Sequence, residues 1–135
     1  MAEVTHIVDS FLQERPTATL GTIMRDGSPQ ASVLWYLWDS GEFVMSTIHS
    51  TAKWRNLMRD ARCSVCIEDP DSGRMVVAYG DAQLVDTDVR ARTRTIVNRY
   101  YDDAADTNAH MNRIFAAGDR VLIVIRPRRV VTRKL

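Results

Sequence analysis

Pro29-Gln30-Ala31-Ser32-Val33-Leu34-Trp35-Tyr36-Leu37-Trp38 runs through Asp39-Ser40-Gly41 into Glu42-Phe43-Val44-Met45-Ser46-Thr47-Ile48, and this stretch decides the fold. Both flanks of the Asp-Ser-Gly turn are rich in β-branched and aromatic residues, the composition of strands. Upstream, Thr17 to Arg25 alternates loosely with β-branched residues, and Arg25-Asp26-Gly27-Ser28 supplies the turn that joins it to Pro29 to Trp38. Three strands with such close connections make an antiparallel meander.

On the N-terminal side, Val4, Ile7, Val8, Phe11 and Leu12 form one apolar stripe on an opening helix, which Pro16 ends. After Ile48 the period changes: Trp54, Leu57, Met58 and Ala61 fall on one face of a short helix capped by Ser50 or Thr51. Two strands follow, Cys63 to Glu68 and Arg74 to Val85, around the loop Asp69-Pro70-Asp71-Ser72-Gly73. Asp86 or Thr87 then caps a helix with Val89, Ile96, Val97 and Tyr100 inward and arginines outward. Asp102 to Asp106 reads as a loop, with a further helical turn at Met111, Ile114 and Phe115. Val121 to Ile125, led by Arg120, is a continuous apolar run, the mark of a strand buried on both faces, and Val130-Val131-Thr132 extends or follows it beyond Pro127.

Six strands in antiparallel order with helices around them predict a single α+β domain over residues 1–135, mainly β, built as a barrel with peripheral helices. The strand–helix alternation of a doubly wound sheet is absent, as are G-x-G-x-x-G and G-x-x-x-x-G-K, which excludes dinucleotide-fold and P-loop chemistry. The net charge of +1, from 18 basic and 17 acidic side chains, gives no global field toward nucleic acid or an anionic membrane. No run approaches the roughly 18 apolar residues of a membrane span, and Met1 to Ser10 lacks the pattern of a secretion signal, so a cytoplasmic location is expected. Cys63 and Cys66 match C-x-x-C, but on a strand residues three apart face opposite ways, and two buried free thiols are expected rather than a metal or redox site.

The segment Ser46-Thr47-Ile48-His49-Ser50-Thr51-Ala52-Lys53 runs from a strand end through a hydroxyl-rich loop into the first turn of a helix. Unpaired amide N–H groups and the helix dipole suit an anion there, and the hydroxyls of Ser46, Thr47, Ser50 and Thr51 add donors. Lys53 is one of only two lysines against sixteen arginines. A cation in the first turn of a helix is disfavoured unless an anion answers it; a solvated surface lysine is the plain alternative.

Gly27 to Pro29 ahead of the Val33-Leu34-Trp35-Tyr36 strand, the Ser46-to-Lys53 loop, and Lys53-Trp54-Arg55-Asn56-Leu57-Met58-Arg59-Asp60 resemble the pyridoxamine 5′-phosphate oxidase-like split-barrel family. The resemblance covers nearly the whole chain and is greatest to the deazaflavin-dependent reductase branch. Cys63 to Ile67 and Ala78-Tyr79-Gly80-Asp81-Ala82 resemble that family's fourth and fifth strands. The resemblance implies a six-stranded split barrel of the FMN-binding type and a homodimer with two cofactors in clefts between subunits. It also implies a coenzyme F420 or flavin mononucleotide phosphate at the Lys53 loop. Thr51 stands where members often carry a basic residue, and Val33 where many carry proline.

A flat tricyclic ring cannot be enclosed by a barrel filled with its own side chains, which also favours a cleft between copies. The cofactor is expected to touch Ser46, Thr47, Ile48, His49, Ser50, Thr51, Ala52 and Lys53 on the loop side, and Val33, Leu34, Trp35 and Tyr79 on the ring side. Such chemistry needs no dedicated acid or base, because the cofactor itself carries the hydride. His6, His49 and His110 are scattered; His49, flanking the loop, is the one placed to donate a proton to a substrate. Arg126, Arg128, Arg129, Arg133 and Lys134 read as the solvated face of an edge strand. The expected function is an F420-dependent oxidoreductase that transfers a hydride to a small conjugated or unsaturated molecule. A flavin mononucleotide-dependent reductase or oxidase on the same fold and a non-catalytic flavin or haem binder are the alternatives.

Overall fold

The computed structural model describes residues 4–14 and 17–135. Its strands are β1 Ala18–Ile23, β2 Pro29–Leu34, β3 Leu37–Asp39, β4 Glu42–Ile48, β5 Arg62–Asp69, β6 Arg74–Val85 and β7 Arg120–Arg133. All pair antiparallel in one sheet of order β2-β1-β5-β6-β7-β4-β3. β2 and β3 are thus its two edges, yet only Trp35 and Tyr36 separate them in sequence. So short a link spans roughly 10 Å, so the sheet curls until its edges nearly meet. The result is the mainly β split barrel expected, open along the β2–β3 seam.

It has seven strands rather than six, because the expected strand Pro29 to Trp38 is two. Tyr36 is fully buried in the barrel and donates its hydroxyl to the Leu12 carbonyl at 3.0 Å. Its own carbonyl accepts from the Arg99 guanidinium instead of a neighbouring strand. Trp35 turns the other way and lies between the rings of Tyr100 (4.3 Å) and His110 (4.7 Å). Two successive aromatics anchored on opposite sides of the sheet break the ladder between them.

Inside the barrel, Leu20, Phe43, Met45, Val65, Ile67, Val76, Val121, Ile123 and Ile125 form the main core. The intervening Val44, Leu122 and Val124 point outward and pack against Ile96. That second layer explains the unbroken apolar run of β7: both of its faces are covered. Helix α1, His6–Leu12, starts at Thr5, whose side chain accepts from the Val8 amide, and buries Val8, Phe11 and Leu12, while Ile7 stays 60% exposed. It is fixed on β3 by the Trp38 indole N–H, which donates to Asp9 at 2.7 Å. The predicted stop at Pro16 lies outside the described residues.

Three further boundaries differ from the sequence expectation. Helix α3, Val89–Asn98, starts after Asp88, which takes a left-handed backbone (φ 54°), rather than after Asp86 or Thr87. The expected loop at Asp102 to Asp106 is mostly helix: α4 runs Ala104–Ala116, and Asp103 caps it by accepting from the Ala105 amide at 2.8 Å. Scattered aspartates resemble a loop, but an aspartate ahead of two alanines is also a helix start. β7 continues through Pro127 as one strand, because a register shift opposite Tyr79 and Gly80 accommodates the residue without an N–H. Only its second half, from Arg126 on, is unpaired with β4, and there Arg126, Arg128 and Arg133 reach Glu42, Asp81 and Glu68. Among the described residues no helix is long and apolar enough to cross a membrane.

Candidate functional site

Helix α2, Ala52–Arg59, follows β4 directly, and Thr51 occupies its N-cap position. Its side chain makes no capping bond: the hydroxyl donates to the Ile48 carbonyl at 2.9 Å and lies 3.2 Å from the hydroxyl of buried Thr47. The helix N-terminus therefore lacks the side-chain oxygen that ordinarily answers its amide donors. Ser50 and His49 are exposed; the Ser50 carbonyl accepts from Arg55, and the His49 ring stacks on Trp54 at 5.2 Å.

Lys53 lies half-buried in the first turn of α2. Burial, and next the charge of Arg120, push its ammonium below the ordinary lysine range. Arg120 is aligned opposite Ile48 across the β4–β7 ladder. Its Nε donates to the Ser46 hydroxyl at 3.0 Å and its Nη2 to the Ser46 carbonyl at 3.1 Å. Ser46 also accepts from Thr93 of α3 at 2.9 Å. Among the described residues, neither Lys53 nor Arg120 has a carboxylate in ion-pair contact. Two neighbouring cations withdrawn from water without a counter-charge are costly, and a bound anion relieves both the repulsion and the desolvation.

On its other side, α2 faces the β1–β2 hairpin across a cleft of about 690 Å3 beside Ala52. Arg25, Arg55 and Arg59 line it, and among the described residues no carboxylate does. Arg59 is fixed at this wall by donating to the Ile23 carbonyl and to Asn56 Oδ1. Asn56 in turn donates to Thr22, and Thr22 to Gln30, at 3.1 and 2.7 Å, so a buried polar chain ties α2 to the hairpin.

The sequence-predicted residues thus divide. Ser46 to Lys53 run without interruption from the end of β4 through His49, Ser50 and Thr51 into the first turn of α2, and Leu34 and Trp35 meet Ser46 at a small pocket. Val33 is 71% exposed on the edge strand β2. Tyr79 lies elsewhere, 40% exposed, in a cleft with Gly21, Ser64, Cys63 and Arg128. Cys63 and Cys66 are free and only partly buried, and burial pushes the Cys63 thiol up to about 12, which keeps it protonated and unreactive. Sequence reasoning missed Arg120, Thr93 and His110. Arg120 carried a signal, a charge at the head of an otherwise apolar strand; pairing of that strand with β4 is what gives it meaning.

The Lys53–Arg120 pair of cations, the helix N-terminus without a side-chain cap and the arginine-lined cleft suit a ligand that carries phosphate and further acidic groups. The sequence pattern of the pyridoxamine 5′-phosphate oxidase family matches residues 4–134. A solved structure described as an F420 reductase is 25% identical, with a TM-score of 0.76 over 95% of this chain and 98% of that one. A conserved hypothetical protein from Mycobacterium tuberculosis is 27% identical, with a TM-score of 0.79 over 98% of this chain and 85% of that one. General Stress Protein 26 from Bacillus anthracis, 15% identical with a TM-score of 0.68 over 91% of this chain and 88% of that one, shares the fold alone. Matched along almost its full length, the chain belongs to the pyridoxamine 5′-phosphate oxidase family, whose members bind flavin-type cofactors.

Proposed function

We propose that the protein is an oxidoreductase that binds coenzyme F420 and passes a hydride between it and a small conjugated or unsaturated molecule. The observation that carries this reading is the Lys53–Arg120 pair, half-buried and, among the described residues, without a carboxylate partner. Lys53 and the amides at the start of α2 hold the phosphate, and Arg120, anchored on Ser46, adds its charge from the side. The bound deazaflavin supplies the hydride chemistry. The chain's own task is to hold the phosphate, fix the ring and exclude water.

F420 is favoured over flavin mononucleotide because its phosphate continues into an acidic tail, and the cleft beside the loop is lined by Arg25, Arg55 and Arg59. The 25% identity to a protein described as an F420 reductase supports the same choice. The exposed edge strand β2, with Val33 outward, fits pairing with a second copy that completes the ring site. Titrating the purified protein with each cofactor, followed by tryptophan fluorescence, tests the reading. Submicromolar binding of F420 with none of flavin mononucleotide is expected; the reverse preference assigns a flavin mononucleotide enzyme, and binding of neither removes the oxidoreductase reading.

A further inference from the structure

A threonine inside a helix ordinarily points its hydroxyl to solvent or returns it to the carbonyl four residues back. On α3, Thr95 does the second, donating to the Ala91 carbonyl at 3.2 Å. Thr93, two residues earlier, does neither: it is 1% exposed and donates out of its helix to Ser46 Oγ of β4 at 2.9 Å. The neighbouring Ile96 packs on Val44, Leu122 and Val124, a layer that a valine at position 93 would suit as well. What the buried hydroxyl adds is the bond to Ser46.

Ser46 is in turn the anchor of Arg120. In the β4–β7 ladder Ser46 pairs with Leu122 and Ile48 with Arg120, which makes Ser46 and Arg120 diagonal neighbours on one face of the sheet. Ser46 Oγ accepts from Arg120 Nε at 3.0 Å, and the Ser46 carbonyl accepts from Arg120 Nη2 at 3.1 Å. A hydroxyl oxygen has two acceptor places, so Thr93 and Arg120 Nε together fill it and leave the Ser46 side chain one orientation. Among the described residues no carboxylate competes for the guanidinium. Its place near Lys53 is therefore set by Ser46, and the orientation of Ser46 by Thr93.

We propose that Thr93 is a positioning residue of the anion site: by occupying the second acceptor place on Ser46 it holds the Arg120 guanidinium where it serves a phosphate together with Lys53. Thr93 itself makes no bond to either cation, yet α3 thereby sets the affinity of the site. The inference rests on the reading of Lys53 and Arg120 as the cations that hold the cofactor phosphate.

The test uses the full chain carrying 13C-labelled lysine, in which Lys53 and Lys134 are the only two lysines and give two resolved side-chain signals. The Lys53 signal reports its titration with pH and, separately, the binding of inorganic phosphate. Thr93→Val, which keeps the shape and removes the hydroxyl, should weaken binding of phosphate and of F420 roughly three- to tenfold, the equivalent of one ordinary hydrogen bond. It should also move the Lys53 titration up toward that of Lys134, because the charge of Arg120 that depresses it is no longer held in place. Thr93→Ser, which retains the hydroxyl, should behave as the parent in both respects. Ser46→Ala removes the acceptor at the other end of the bond and should reproduce the effects of Thr93→Val, whether or not that variant folds; adding Thr93→Val to Ser46→Ala should then change nothing further. A role in packing alone would lower the melting temperature without moving the Lys53 titration. An unmoved Lys53 titration with unchanged phosphate binding in Thr93→Val or Ser46→Ala, or effects of the two substitutions that add, overturns the positioning role. A chain that binds neither F420 nor flavin mononucleotide, but whose Lys53 titration and phosphate binding respond to Thr93→Val, overturns the oxidoreductase reading and leaves the role of Thr93 standing.

Discussion

Arg120 at the head of β7 lies near enough to Lys53 in the first turn of α2 for its charge to lower the Lys53 pKa beyond the effect of burial. The pair is therefore unfavourable in the free protein, and Lys53→Ala should separate two roles that a lysine can have. If it holds a phosphate, the substitution weakens F420 binding roughly 10- to 100-fold, the range for a hydrogen bond to a charged group, yet leaves the melting temperature unchanged or higher. Because folding disfavours the charged form, parent stability rises with pH as the folded protein releases the Lys53 proton before the unfolded chain does, and the variant lacks that rise. Calorimetric melts from pH 7 to the alkaline range, with a cofactor titration, check both. An unaltered dissociation constant sinks the phosphate role.

The polar chain from Arg59 through Asn56 and Thr22 to Gln30 joins α2 to the hairpin, and its two middle members are only 7% and 3% exposed. Asn56→Ala leaves the Thr22 hydroxyl without its donor and Arg59 without one acceptor. A loss of about 1 to 3 kcal/mol in urea denaturation is expected. Thr22→Val alone should cost a similar amount, and the double substitution less than the sum, since both remove the same bond. Strict additivity would show that the chain is not a unit.

Gly80 and Gly21 both sit on strands, but they differ in what a side chain would meet. A Cβ on Gly80 would lie 2.9 Å from the Arg126 carbonyl oxygen, which belongs to the β7 backbone at the register shift. A Cβ on Gly21 would crowd the Ser64 hydroxyl, at 2.6 Å, which rotates away, while the Ser64 carbonyl oxygen stays at an ordinary 3.9 Å. Gly80→Ala should therefore destabilise by about 1 to 3 kcal/mol and Gly21→Ala by less than 1 kcal/mol. Chemical denaturation of the two variants side by side measures the contrast, and equal losses would mean that the β6–β7 bulge is free to shift.

Much of this architecture was legible in the sequence because strand and turn signals are local. Asp26-Gly27 and Ser40-Gly41 mark the first turns, and the Asp26 carboxylate accepts from the Ser28 amide as such turns require. What stayed hidden depends on neighbours far along the chain. The strand break at Trp35 and Tyr36 is set by Leu12, Arg99 and Tyr100, so alternation alone reads through it. Arg99 looked like one of several outer arginines, yet it also donates to the last carbonyls of the α1 region, Gln13 and Glu14. The loop Ser46 to Lys53 was visible as an anion site through its hydroxyls and its rare lysine. Its partner Arg120 lies far downstream and is brought beside it only by the β4–β7 pairing.

The β5–β6 loop provides a test of stability against acid. Asp69 accepts from the Ser72 hydroxyl at 2.7 Å, from Arg74 at 2.9 Å and from the Asp71 amide, and these bonds, Arg74 first, hold its carboxyl down to about 2. Arg74 also forks onto Glu14 with two contacts of 3.0 Å, so the same guanidinium ties the loop to the end of the α1 region. A carboxyl whose pKa is lower folded than unfolded stabilises the protein above the ordinary carboxylate pKa and loses that effect as the pH falls toward its folded value. Asp69→Asn should therefore melt below the parent near pH 7, and the gap should close between about pH 4 and pH 2, where the parent aspartate takes up its proton. Because the pair is partly open to solvent, added salt should shrink the gap near pH 7 as well. Paired melting curves at three pH values decide the matter: a difference that persists at the lowest pH would assign the effect of Asp69 to the shape of its turn, not to its charge.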